Sequence, residues 1–129
     1  MHSVFQDPKN LVLGDKTGKV FMHPELKAHP AYFEKQVVQL ADDVYMAFGF
    51  AASNVYMIVG DDGIILIDTS ETTTAAGQIL SAFREITDKP VETIIFTHSH
   101  RDHVSGASVF AAAGDNPEIL ASTRFSDDF

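Results

Sequence analysis

The sequence contains no cysteine. That absence excludes disulfides, thiolate zinc sites and cysteine nucleophiles together. Any metal the chain binds must be held by imidazole and carboxylate. Basic residues are scarce: nine lysines and arginines face eighteen aspartates and glutamates, a formal net charge of −9. A surface of that sign repels polyphosphate backbones and argues against nucleic acid as a partner. A local site can still take an anion if a metal neutralises it. Apolar runs are only a few residues long, too short for a membrane span. Met1 is not followed by a basic stretch and an apolar stretch, so no signal peptide is visible and a cytoplasmic protein is expected. Internal repeats and low-complexity tracts are also missing.

What is present suits one folded domain. Apolar residues make up 45% of the 129 positions, enough to build a core. Residues 1–30 carry Pro8, Gly14, Gly18, Pro24 and Pro30 and read as a loop-rich lead-in with one short strand near Lys19–Met22. His23 and His29 each precede a proline, which predicts extended or turn backbone for both. Neither has a second ligand at metal-binding spacing, so both read as surface or packing histidines.

A β-meander is predicted next. Gln36–Ala41 and Val44–Phe48 flank the turn signal Asp42-Asp43, and Asn54–Val59 and Ile64–Asp68 flank Gly60-Asp61-Asp62-Gly63. Ile64 to Ile67 are apolar on both faces, as in a buried central strand. The period then becomes helical over Glu71–Thr87, through Ala75, Ala76, Ile79, Leu80, Phe83 and Ile86. Ser70 is the expected N-cap, and Glu71 suits the positive end of the helix dipole. Val91–Thr97 reads as a buried strand, Val104–Ala113 as a short helix and Glu118–Ala121 as a last strand. Ser122–Phe129 reads as an opening helix. This order predicts an α+β protein with a mixed sheet and helices packed on it.

One segment concentrates chemistry. His98-Ser99-His100-Arg101-Asp102-His103 lies after a buried strand and before a helix, where open α/β sheets bind ligands. In extended backbone His98 and His100 point to one side and can share a metal. Asp102 and His103 fall where the chain turns into the helix and can reach a second metal. Two such ions roughly 3.5–4 Å apart can hold a bridging hydroxide. A solvated polar loop is the competing reading, but clustered imidazoles repel one another when protonated.

This run is the His-x-His-x-Asp-His signature, and with its flanks it resembles the metallo-β-lactamase superfamily over about residues 36–113. Flavodiiron members place a glutamate where His100 stands, so the resemblance implies a zinc hydrolase. Within the superfamily the chain is most similar to alkyl sulfatases. The segments concerned are His23 to Leu26, Val44-Tyr45, Ala52-Ser53-Asn54, Gly60 to Thr69, Phe83-Arg84, Lys89-Pro90-Val91 and Phe96 to His100. The resemblance implies an αββα sandwich, two Zn2+ per complete site, and hydrolysis of alkyl sulfate esters through a zinc-bound hydroxide. His98 and His100 would bind one zinc, and Asp102 and His103 the other, with Asp102 also the catalytic carboxylate. Asp68 resembles the aspartate that orients a metal-binding histidine; it reads equally as a turn aspartate. Asn54 is expected to be structural. Arg101 departs from the small or apolar residue usual there; it either adds charge beside the site or points to solvent, and solvent is the expectation.

No histidine follows His103, and Asp115, Glu118, Asp127 and Asp128 have no ligand-like context. Residues 31–129 therefore read as the N-terminal half of such a domain, truncated at its C-terminus, with one apolar sheet face uncovered. Three functions stay open. They are an alkyl sulfatase, a metallo-β-lactamase-fold hydrolase of thioesters, lactones or lactams, and an inactive fragment that needs a partner or its missing half.

Overall fold

The computed structural model describes residues 12–13, 21–22 and 24–128. The chain divides into two units, Met1–Glu34 and Lys35–Phe129.

In the first unit β1 (Val12–Leu13) pairs antiparallel with β2 (Phe21–Met22). Helix α1 (Pro24–Ala28) follows, then a 3-10 helix over His29–Phe33. The loop reading thus missed two helical turns. Proline explains the miss: it lacks an N–H that the first turn does not use, so Pro24 and Pro30 start helices here. His29 opens the 3-10 helix and is not in extended backbone; its ring packs tilted against Phe33 at 5.0 Å. His23, and Lys19 and Val20 of the predicted strand, lie outside the described residues.

The second unit is a six-stranded sheet in the order β3-β4-β5-β6-β7-β8. The strands are β3 (Gln36–Ala41), β4 (Val44–Phe48), β5 (Val55–Val59), β6 (Ile64–Ile67), β7 (Val91–Ile95) and β8 (Glu118–Leu120). The first four pair antiparallel through short turns. Asp43 closes the first hairpin at φ 60°, a left-handed conformation that aspartate tolerates. The last three pair parallel, because helices carry the chain back between them. The mixed sheet with helices matches the α+β expectation. Strands β5 to β8 are each one or two residues shorter than predicted. Asn54, Asp68, Phe96, Thr97 and Ala121 fall just beyond their ends.

Helix α2 (Thr73–Arg84) starts two residues later than expected. Its N-cap is Thr72, whose Oγ1 accepts the N–H of Ala75 at 3.1 Å. Ser70 is not the cap: it sits at φ 72° in the crossing from β6, fully buried, and its Oγ has no hydrogen-bond partner. Glu71 accordingly lies outside the first turn. The single helix expected over Val104–Ala113 is two, α3 (Arg101–Val104) and α4 (Ala107–Ala111). The break falls at Gly106, whose N–H donates to the carbonyl of Ser70 at 3.2 Å and so leaves the helical ladder. The predicted opening helix at the end is a 3-10 turn over Phe125–Asp128.

Alternation along the strands builds the core. Ala47, Val55, Met57, Ile64, Leu66 and Ile94 point to one face and pack on Ala76, Ile79 and Phe83 of α2 and Phe110 of α4. Residues that alternate with them, such as Met46, Tyr56, Ile65, Ile67 and Ile95, are only partly buried. Strand β6 is therefore buried fully on one face, not on both as its apolar run suggested. Phe83 and Phe110, both wholly inaccessible, are the largest anchors of the helix layer. Losing such a side chain costs about 3–5 kcal/mol.

Candidate metal centre

Parallel pairing of β6 and β7 builds the site. Ile67 lies opposite Ile95, so the C-terminal ends of both strands stop side by side. Asp68 leaves one strand and Phe96-Thr97-His98 leave the other. Side chains 29 and 35 residues apart in sequence thereby meet.

Asp68 is the hub. It is 3% exposed, stands at φ 63° and donates its own N–H to the Ile95 carbonyl at 2.9 Å. Its Oδ1 accepts the N–H of Thr97 at 2.9 Å. Its Oδ2 lies 2.8 Å from Thr97 Oγ1 and 2.7 Å from His103 Nδ1. A carboxylate only accepts, so His103 carries a proton on Nδ1, and in the neutral ring the lone pair is then on Nε2.

The same hydrogen count extends to His98. Thr97 Oγ1 has one hydrogen, and both Asp68 oxygens draw it, at 2.8 and 3.1 Å. Towards His98 Nδ1, 2.8 Å away, it can then only accept. His98 is left with its proton on Nδ1 and its lone pair on Nε2. One buried carboxylate thus selects the tautomer of two histidines, one directly and one through Thr97.

The loop brings the imidazoles together. The ring of His98 lies 4.0 Å from that of His103 and 4.6 Å from that of His100, centroid to centroid. His100 also precedes α3 as its extended N-cap residue. Asp102 Oδ2 stands 3.3 Å from His103 Nε2. With Nδ1 carrying the proton, that approach sets two acceptors against each other, a repulsive pair until a cation or proton lies between them. The donor set therefore fits a divalent cation of borderline softness: neutral imidazoles with carboxylate, and no thiolate. Among the described residues, however, no three histidine, aspartate or glutamate groups are already arranged to hold one ion.

Arg101 is exposed, as expected of a solvated side chain. Sequence reasoning overlooked Thr97 as the link between Asp68 and His98, and Ser53, whose Oγ donates to the carbonyl of Asp102. A threonine next to a candidate ligand is a signal, though a weak one; Ser53 has none, being 49 residues away. Two clefts of about 520 and 470 Å3 lie elsewhere, and no residue of the histidine loop lines them.

Comparison with known proteins agrees with this geometry. The model of the metallo-beta-lactamase superfamily matches residues 48–125, more than half of the chain. The chain is 38% identical over 94 residues to the alkyl/aryl-sulfatase BDS1 of Saccharomyces cerevisiae, covering 69% of this chain and 15% of that protein. It is 39% identical over 56 residues to a linear primary-alkylsulfatase of Pseudomonas sp. (strain ATCC 19151), covering 43% of this chain and 11% of that one. Among solved structures, a double mutant of the sec-alkyl sulfatase PisA1 superposes with a TM-score of 0.71 at 24% identity, over 82% of this chain and 18% of that one. The last is a likeness of fold. The chain spans less than a fifth of the length of each. With its mixed sheet, its strand-end histidine loop and this match, the chain belongs to the metallo-beta-lactamase superfamily.

Proposed function

We propose that this chain forms part of a di-zinc hydrolase that cleaves alkyl sulfate esters. The observation that carries the metal half of the reading is the hydrogen-bond geometry around Asp68. Its carboxylate and Thr97 place the protons of His103 and His98 on Nδ1, and both histidines keep Nε2 as a ligand atom. Metal-binding histidines are commonly fixed in this way by a carboxylate behind them. In this reading His98 and His100 hold one Zn2+, and Asp102 and His103 the other. Bound zinc supplies a Lewis acid and lowers the pKa of water to near neutrality. Asp68 and Thr97 would hold the imidazoles in one tautomer, and Asp102 would be the carboxylate that this loop brings to the metal.

The substrate half rests on relatives. Two of the relatives matched by sequence are named as alkyl or alkyl/aryl sulfatases. Residues 31–129 are read as the N-terminal half of the catalytic domain, with the remaining ligands and the sulfate-holding groups supplied from outside these 129 residues.

The test is metal analysis and sulfate release on the complete reading frame that contains this chain. Two zinc ions per chain and turnover of a long-chain alkyl sulfate are expected. Full zinc loading without sulfate release would reject the substrate and leave the metal site standing. A parallel panel of thioesters, lactones and lactams then shows whether another hydrolase activity takes its place. The 129-residue chain alone is expected to show no turnover.

A further inference from the structure

Helix α3 carries Asp102 and His103 but is only four residues long. A helix that short cannot hold its own direction, and its last carbonyls have no helical partner. Two hydroxyls from distant segments take up those carbonyls. Ser53, 8% exposed, donates its Oγ–H to the carbonyl of Asp102. Thr69, fully buried, grips the carbonyl of His103 twice, through its N–H at 2.7 Å and its Oγ1–H at 2.9 Å. A third strut follows at Gly106, whose N–H donates to the Ser70 carbonyl. There the two backbones run so close that a Cβ on Gly106 would lie 2.0 Å from the Thr69 carbonyl oxygen.

We infer that Ser53 and Thr69 are positioning residues that clamp the consecutive backbone carbonyls of Asp102 and His103 and so aim both side chains at the metal. The inference rests on the metal-site reading of the loop. It assigns the two hydroxyls a job distinct from that of Asp68, which fixes the proton on His103. Asp68 sets which nitrogen can bind. Ser53 and Thr69 set where that nitrogen and the Asp102 carboxylate stand. Rotation of α3 by a few degrees would move both ligands together, because both hang on one turn of helix.

The test uses the complete reading frame that contains this chain. Thr69→Val removes the Oγ1 bond and keeps the backbone N–H bond; Ser53→Ala removes the other. Each is paired with a variant that keeps the hydroxyl, Thr69→Ser and Ser53→Thr. Three quantities are measured: Zn2+ affinity by competition with a chromophoric chelator, the visible spectrum of the Co2+-loaded protein, and amide exchange over residues 101–106. Folding is checked by circular dichroism. Thr69→Val and Ser53→Ala are expected to stay folded and bind Zn2+ about tenfold more weakly. Their Co2+ bands should shift, and exchange should speed up over α3. Thr69→Ser and Ser53→Thr should restore all three. Folded Ser53→Ala and Thr69→Val proteins with parental affinity and parental Co2+ bands would overturn the inference. If Ser53→Ala does not fold, the contrast between Thr69→Ser and Thr69→Val decides alone. A parent protein, in its complete reading frame, that takes up no Zn2+ would overturn the metal reading and this inference with it. That failure shows in the parent, before any variant is compared.

Discussion

Replacing Asp68 by asparagine isolates the charge at the hub of the site. Asparagine has nearly the same shape, and it tolerates the left-handed backbone at φ 63° at least as well as aspartate does. The change therefore removes one acceptor oxygen and one negative charge and leaves the backbone alone. Oδ1 can still take the Thr97 N–H at 2.9 Å. The amide nitrogen then replaces Oδ2, where Thr97 Oγ1 and His103 Nδ1 approach to 2.8 and 2.7 Å. It can donate to the threonine hydroxyl, but it faces the Nδ1–H of His103 donor to donor. His103 must either lose that hydrogen bond or move its proton to Nε2, which abolishes the lone pair meant for the metal. A buried hydrogen bond to a charged group is worth about 1.5–3 kcal/mol. For a folded unit of this size, a loss of about 2 kcal/mol lowers Tm by about 10 °C. Zinc affinity should fall by about 10- to 100-fold, as expected when the partner behind a ligand is removed. Thermal unfolding of the metal-free chain and chelator competition on the complete protein read these two effects separately. A D68N protein that binds zinc like the parent would refute the tautomer argument, even if its Tm fell.

Three further outcomes follow from the same contacts. Ser70→Gly should raise stability by about 1 kcal/mol in chemical denaturation, because it relieves the left-handed backbone and removes a buried hydroxyl without a partner; a lower denaturation midpoint would contradict this. Gly106→Ala should cost at least about 3 kcal/mol, since its Cβ would lie 2.0 Å from the Thr69 carbonyl and 2.6 Å from the Ala76 side chain. A soluble, parent-like melting curve for that variant would mean the two segments are not in close contact. Thr72→Ala should lose about 1 kcal/mol by removing the cap on the Ala75 N–H; an unchanged Tm would show that the cap contributes nothing.

The sequence by itself determined the six strands of the sheet, the helix between β6 and β7, and the histidine loop. Asp42-Asp43 and Gly60 to Gly63 mark their hairpins because few residues accept the backbone those turns need. The apolar runs of β6 and β7 mark buried strands, and three histidines with an aspartate in six positions mark a ligand cluster by their chemistry alone. Tertiary structure decided what stands behind that cluster. Asp68 reads from sequence as a turn residue or an orienting one, and only the parallel pairing of Ile67 with Ile95 sets it against Thr97 and His103. The sequence pointed to Ser70 as the cap of α2, and the structure gives that place to Thr72. Ser70 loses it because the crossing from β6 passes beneath Gly106 and takes up a left-handed turn there. Val104–Ala113 reads as one helix because local propensity is blind to the carbonyl of Ser70, which draws the Gly106 N–H out of the ladder. Ser53 carries no local signal at all, since its hydroxyl finds work only once a chain segment 49 residues away is folded over it. Local chemistry can name the candidate ligands; their tautomers and direction depend on bonds between segments far apart in sequence.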